Sequence, residues 1–126
     1  MKVLVVDDEP DVVKVIRLRL EKNGFQVVVA NNGKEALEKV STEKPDAVLL
    51  DIRMPVMGGI QVLQEIRRAD TGLPVFMLTA DSTKEPFDEA RRLNASGFII
   101  KTSDIEQEIR NIVSAVRLSP KYKQKE

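Results

Sequence analysis

The sequence predicts an α/β domain built on a parallel sheet with helices on both faces. Three observations point there. Five short apolar runs, mostly β-branched, at 3–6, 25–30, 47–50, 75–78 and 98–100, alternate with segments of helical periodicity. Several runs are apolar at nearly every residue, as strands covered on both faces are. Five β-then-α units in succession imply parallel pairing, with right-handed crossovers limiting the topology.

The helical segments follow in order. The first places Val12 or Val13, Ile16 and Leu20 on one face, with Pro10 near its start and Asn23-Gly24 at its end. The second carries Ala36, Leu37 and Val40 and stops before Pro45. The third carries Ile60, Leu63 and Ile66; the fourth carries Phe87, Ala90 and Leu93, with Pro86 in its first turn. The fifth carries Ile105, Ile109, Ile112, Val113 and Val116, and Ser103 with Glu106 forms a capping box at its start. No internal repeat or low-complexity stretch stands out, and the polar, basic tail 119–126 is expected to fray or to begin a linker.

Composition narrows the chemistry. The 126 residues suit one domain, and a hydrophobic share of 42% suffices for one core. Charge is balanced at net zero, against the basic excess of a nucleic-acid surface. With one Tyr, four Phe and no Trp, base-stacking platforms are not expected. Cysteine and histidine are both absent, which removes thiolate and imidazole chemistry and leaves oxygen ligands for a hard cation, Mg²⁺ or Ca²⁺. The N-terminal apolar run is too short for a signal peptide, no run nears the roughly 20 residues of a membrane span, and a cytoplasmic protein is expected.

Chemistry-bearing residues follow the strands. Asp7, Asp8 and Glu9 follow the first, Asp51 the third, Thr79 and Ala80 the fourth, and Lys101 the fifth. Parallel strands bring these groups to one edge of the sheet, where ligands bind in open α/β folds. Carboxylates crowded there repel one another, and a divalent cation relieves the repulsion. A metal, an ammonium and a hydroxyl donor together suit a phosphoryl group, and an aspartate can itself attack phosphorus. Singly each residue is unspecific; Asp at a strand end is often a helix cap.

On "VLVVDDEP", "PDAVLLDIRMPVMGG", "PVFMLTA" and "SGFIIK" the chain resembles the receiver domain of bacterial two-component response regulators, over about residues 2–118. The resemblance implies a doubly wound, flavodoxin-like (βα)5 fold, strand order 2-1-3-4-5, with a receiver domain at 1–118. It implies that Asp51 is the phosphoacceptor, and that Asp8 and Asp51 ligate Mg²⁺ with Asp7 and the backbone carbonyl of Arg53. Thr79 would bond the phosphoryl group and Lys101 would contact Asp51 or its phosphate. Thr79, Ala80 and Phe98 would form the switch, Phe98 turning inward as Thr79 moves. The implied donor is a sensor histidine kinase or histidine phosphotransfer protein. The implied readout is a downstream protein or output domain bound through the last strand and last two helices, with slow self-dephosphorylation and a monomer or weak phosphorylation-dependent dimer. No nucleic acid or membrane is bound directly. A stand-alone receiver and a receiver within a longer regulator both fit. A haloacid-dehalogenase-type phosphatase does not, since Arg53 stands where its general acid would be, and no nucleotide-binding glycine motif is present.

The chain departs from the family pattern at several positions. Thr102 follows Lys101 where proline is usual; a cis bond without proline costs about 2.5–4 kcal/mol, so a trans bond is expected. That changes the path of the loop, and phosphorylation by a small donor is expected to be slower than in Thr102→Pro; equal rates would remove the concern. Asn94 replaces a glycine and should hold a left-handed helix end. Gly58 replaces a capping Asp. Arg53 and Asp81 flank the pocket as solvated charges or as a pair across its mouth.

Overall fold

Val3, Leu4, Val5 and Val6 have no exposed surface at all, because consecutive side chains of this strand point to opposite faces and both faces are covered. This computed structural model describes residues 1–54, 56–79, 84–100 and 105–117, apart from the side chains of 84–87, 100, 105, 106, 108, 115 and 116. The elements alternate: β1 (Lys2–Val6), α1 (Pro10–Lys22), β2 (Gln26–Ala30), α2 (Gly33–Glu43), β3 (Ala47–Asp51), α3 (Gly59–Ala69), β4 (Val75–Thr79), α4 (Lys84–Arg92), β5 (Gly97–Ile100) and α5 (Ile105–Arg117). The five strands are parallel, in the order β2-β1-β3-β4-β5. This is the doubly wound fold and the strand order expected.

Two apolar layers sandwich the sheet. Val3, Val5, Leu49, Phe76, Leu78 and Ile99 meet Val13, Ile16 and Leu20 of α1 and Ile109, Ile112 and Val113 of α5. Leu4, Val6, Val48, Leu50, Val75 and Met77 meet Ala36 of α2, Val62, Leu63 and Ile66 of α3 and Ala90 of α4. Of the residues expected to face the core, Leu37, Val40, Ile60 and Leu93 are half-buried, and Leu93 lies just past α4.

Element ends follow local chemistry. Pro10 opens α1 where a missing N–H costs nothing. At its other end Phe25 N–H donates to the Leu20 carbonyl at 3.1 Å, beside Gly24 at φ 89. Phe25 thus belongs to the helix terminus, which moves the start of β2 to Gln26, one residue later than expected. The Asn32 side chain caps α2 by accepting from Glu35 N–H at 2.8 Å, whereas Gly58 gives α3 no side-chain cap. Asn94 holds the expected left-handed turn at φ 59. Arg67 ties the ends of α3 and α4 together. Its guanidinium donates to the carbonyls of Asp70, Leu73, Leu93 and Asn94 at 2.8–3.1 Å. Burial lowers its pKa, opposed by Asp70.

Strands β3 and β4 each run one residue further than expected. Asp51 pairs with Leu78, and Thr79 with Ile100, so both polar residues are part of the sheet. Ala80, Asp81, Lys101, Thr102, the Ser103 half of the capping box and the tail 119–126 lie outside the described residues. Among the described residues no helix is long and apolar enough to cross a membrane.

Candidate functional site

The acidic residues meet because of strand register. Val6 pairs with Leu50, so the next residues of the two strands, Asp7 and Asp51, emerge side by side at the carboxyl edge. The chain after Asp7 turns directly into α1. Glu9 N–H donates to Asp7 Oδ1 at 2.9 Å, which folds Asp8 and Glu9 back beside the strand end. Asp51 is held in the same manner by Arg53 N–H, at 3.2 Å from Oδ1. One carboxylate oxygen from each of Asp7, Asp8, Glu9 and Asp51 lies within 4.8 Å of the others.

Burial divides the four. Asp7 is 1% exposed and Asp51 3% exposed, while Asp8 and Glu9 face solvent. The site therefore has a walled inner half and an open outer half. An all-oxygen donor set of this density fits a hard divalent cation, which takes carboxylate and carbonyl ligands. With no cysteine or histidine in the chain, metals that seek thiolate or imidazole lack those donors.

Of the remaining sequence candidates, Thr79 and Phe98 are among the described residues. Thr79 is the last residue of β4, 5% exposed, and its strand runs beside the one that carries Asp51. Phe98 is half-buried on β5, opposite Met77, with the Arg91 guanidinium 5.9 Å from its ring centroid. Lys101 follows Ile100, the partner of Thr79, and with Ala80 lies outside the described residues.

Two features were not assigned a role from sequence. Glu9 joins the carboxylate cluster; its place after the first strand brings it to that sheet edge, and the resemblance gives it no ligand role. The loop from Ile52 to Gly58 carries Val56 fully exposed at φ 68. An apolar residue outside any periodic pattern was the sole hint of it.

Comparisons with known proteins show the family and the fold. A family profile described as "Response regulator receiver domain" matches residues 3–114. The alkaline phosphatase synthesis transcriptional regulatory protein PhoP of Bacillus subtilis is 43% identical over 88 residues, covering 70% of this chain and 36% of that protein. The probable transcriptional regulator ycf27 of Guillardia theta is 39% identical over 115 residues, covering 89% of this chain and 45% of that protein. The chain thus spans less than half the length of these relatives. Among solved structures, the Vibrio cholerae chemotaxis protein CheY4 superposes with a TM-score of 0.84 at 28% identity, covering 90% of this chain and 97% of that one. The activated N-terminal receiver domain of Klebsiella pneumoniae RstA gives 0.84 at 31% identity, covering 93% and 99%.

Proposed function

Because this chain belongs to the response regulator receiver family, we propose that Asp51 accepts a phosphoryl group from a phosphohistidine donor and that the change in charge switches a partner-binding surface. Receiver domains of this family use Mg²⁺ at an acidic pocket and interact with histidine kinases and output domains. The observation that carries the reading is the meeting of Asp7, Asp8, Glu9 and Asp51 within 4.8 Å at the carboxyl edge of the sheet.

Each residue has a task. Asp51 Oδ attacks phosphorus; the bond from phosphorus to the donor imidazole nitrogen breaks, and that nitrogen keeps the electron pair. The Arg53 N–H on Oδ1 helps to fix the carboxylate's orientation. Asp7, Asp8, Asp51 and the Arg53 carbonyl would hold Mg²⁺, whose chemistry is to neutralise the phosphoryl oxygens and the carboxylates around them. Thr79 supplies a hydroxyl donor at the neighbouring strand end, and Lys101 a fixed positive charge. The lack of histidine makes this chain an acceptor, not a donor.

Phosphorylation takes Asp51 from one negative charge to about two, in an almost fully buried position. The reading assigns the response to Thr79, Ala80 and Phe98, which would pass it to β5, α4 and α5. It places the protein in the cytoplasm, with residues 1–118 as the receiver and 119–126 as a tail or the start of a linker to an output domain. Beryllofluoride with Mg²⁺ tests it. When beryllofluoride is added to the Mg²⁺-loaded protein, backbone amides of residues 7–9, 51–53 and 79 are expected to shift in the wild type and to stay unchanged in Asp51→Asn; an unresponsive wild type would remove the reading.

A further inference from the structure

The end of α4 and the start of β5 are both pinned, and a cation–ring contact lies between them. On the helix side Ala90 is fully buried in the sheet layer. Asn94 N–H and Ala95 N–H close the last turn on the carbonyls of Arg91 and Ala90, each at 3.0 Å. The Arg67 guanidinium donates to the carbonyls of Leu93 and Asn94 at 3.0 and 2.8 Å. On the strand side Ser96 N–H donates to the Val75 carbonyl at 2.7 Å, and the Ser96 hydroxyl accepts from Val75 N–H at 3.0 Å. Between these anchors the Arg91 guanidinium stands 5.9 Å from the Phe98 ring centroid, within reach of a cation–π attraction.

Phe98 is half-buried against the layer that contains Met77 and Ala90, while Arg91 is exposed, so the cation meets the ring from the solvent side. The other neighbour of this guanidinium, Asp88, is 3.8 Å away, and a surface ion pair of that length contributes little. Arg92, the next residue, pairs with Glu89 at 3.0 Å instead. Movement of the Phe98 ring further inward is unfavourable in either of two ways. A guanidinium that stays in solvent loses the ring, and one that follows the ring takes a charge out of water. The pinned helix end and strand start oppose a backbone shift that would preserve the contact.

We propose that Arg91 is a latch on Phe98, holding the ring in its half-buried resting position and so setting how strongly the unphosphorylated protein favours its resting form. The inference rests on the reading of Asp51 as phosphoacceptor and Phe98 as part of the switch. Arg91 is a positioning residue, which acts on the site through the ring. A ligand that favours the inward form binds with an apparent affinity reduced by the fraction of protein already in that form. A cation–π attraction at an exposed site changes that fraction about two- to fivefold.

The probe is beryllofluoride, titrated into the Mg²⁺-loaded protein and followed by backbone amide shifts. Arg91→Met keeps an unbranched side chain and loses the cation. Its half-saturating beryllofluoride concentration is expected to lie about two- to fivefold below that of the wild type. Without beryllofluoride, the Thr79 and Phe98 amides of this variant are expected to be displaced towards the wild type's bound positions. The sign separates the latch from plain electrostatics, because loss of a positive charge by itself weakens the binding of an anion. Arg92→Met loses the same charge and is expected to bind no tighter than the wild type. In a Phe98→Leu background, where the ring is gone, Arg91→Met is expected to leave half-saturation unchanged. Half-saturation of Arg91→Met at or above the wild-type value would overturn the inference alone. So would an equal gain in Arg92→Met, or a gain that survives Phe98→Leu. A wild type whose amides do not respond to beryllofluoride would overturn the phosphoacceptor reading, and the inference with it.

Discussion

Asp8→Asn is expected to lose most of the protein's response to Mg²⁺, with an affinity lower by on the order of 100-fold. Asn keeps the shape and one oxygen of the side chain but not its charge, and charge is what a hard cation selects. Asp8 suits the test because it is exposed, on the open side of a cluster whose inner members, Asp7 and Asp51, are buried. Replacing it disturbs no core packing. By linkage, Mg²⁺ at 100 times its dissociation constant stabilises the wild type by about 2.7 kcal/mol; the variant at the same concentration would keep about 0.4 kcal/mol. Thermal melts with and without Mg²⁺ give both values. Equal Mg²⁺ shifts in the two proteins would move the metal away from Asp8.

Gly59→Ala is expected to destabilise the fold by about 3 kcal/mol, at the top of the usual range for forcing atoms into a filled space. The added Cβ would lie 2.1 Å from the Asp51 carbonyl oxygen and 2.8 Å from Ile52 Cα. Both are backbone atoms, so no side chain can swing away to relieve the contact. The strand end that carries Asp51 would have to shift, and phosphorylation should fall along with stability. Gly72→Ala is the control. A Cβ there meets only the Asp70 side chain, at 3.6 Å, and a change within about 0.5 kcal/mol is expected, as for most surface substitutions. Urea denaturation of the two variants checks the contrast. Similar midpoints would mean that the loop approaches β3 less closely.

Strand positions were readable because a parallel sheet covered on both faces demands apolar side chains at every position, and Val3–Val6, Ala47–Leu50 and Val75–Leu78 meet that demand. The errors lie at the ends, where pairing rather than hydropathy decides. Asp51 and Thr79 look like loop residues by composition, yet each completes a register pair. Phe25 looks like a strand residue, yet its N–H serves the end of α1. The acidic cluster was readable for the same reason as the strands: parallel neighbours end at one edge, so residues distant in sequence become neighbours by register alone. Glu9 was less so, since its place depends on the turn that its own N–H makes with Asp7. The Val56 tip was not readable. Its φ and exposure follow from contacts of Gly59 and Met57 with other elements, and no local pattern in the sequence encodes those.

The most direct test of the account is to locate a phosphoryl group on the chain. Wild type and Asp51→Asn would be incubated with acetyl phosphate and Mg²⁺, quenched and analysed by intact mass and then by peptide fragmentation. One added phosphoryl group is expected on the wild type, assigned to Asp51, lost on chelation of Mg²⁺ before donor addition, and absent from Asp51→Asn. A phosphoryl group on another residue, or equal incorporation by Asp51→Asn, would contradict it.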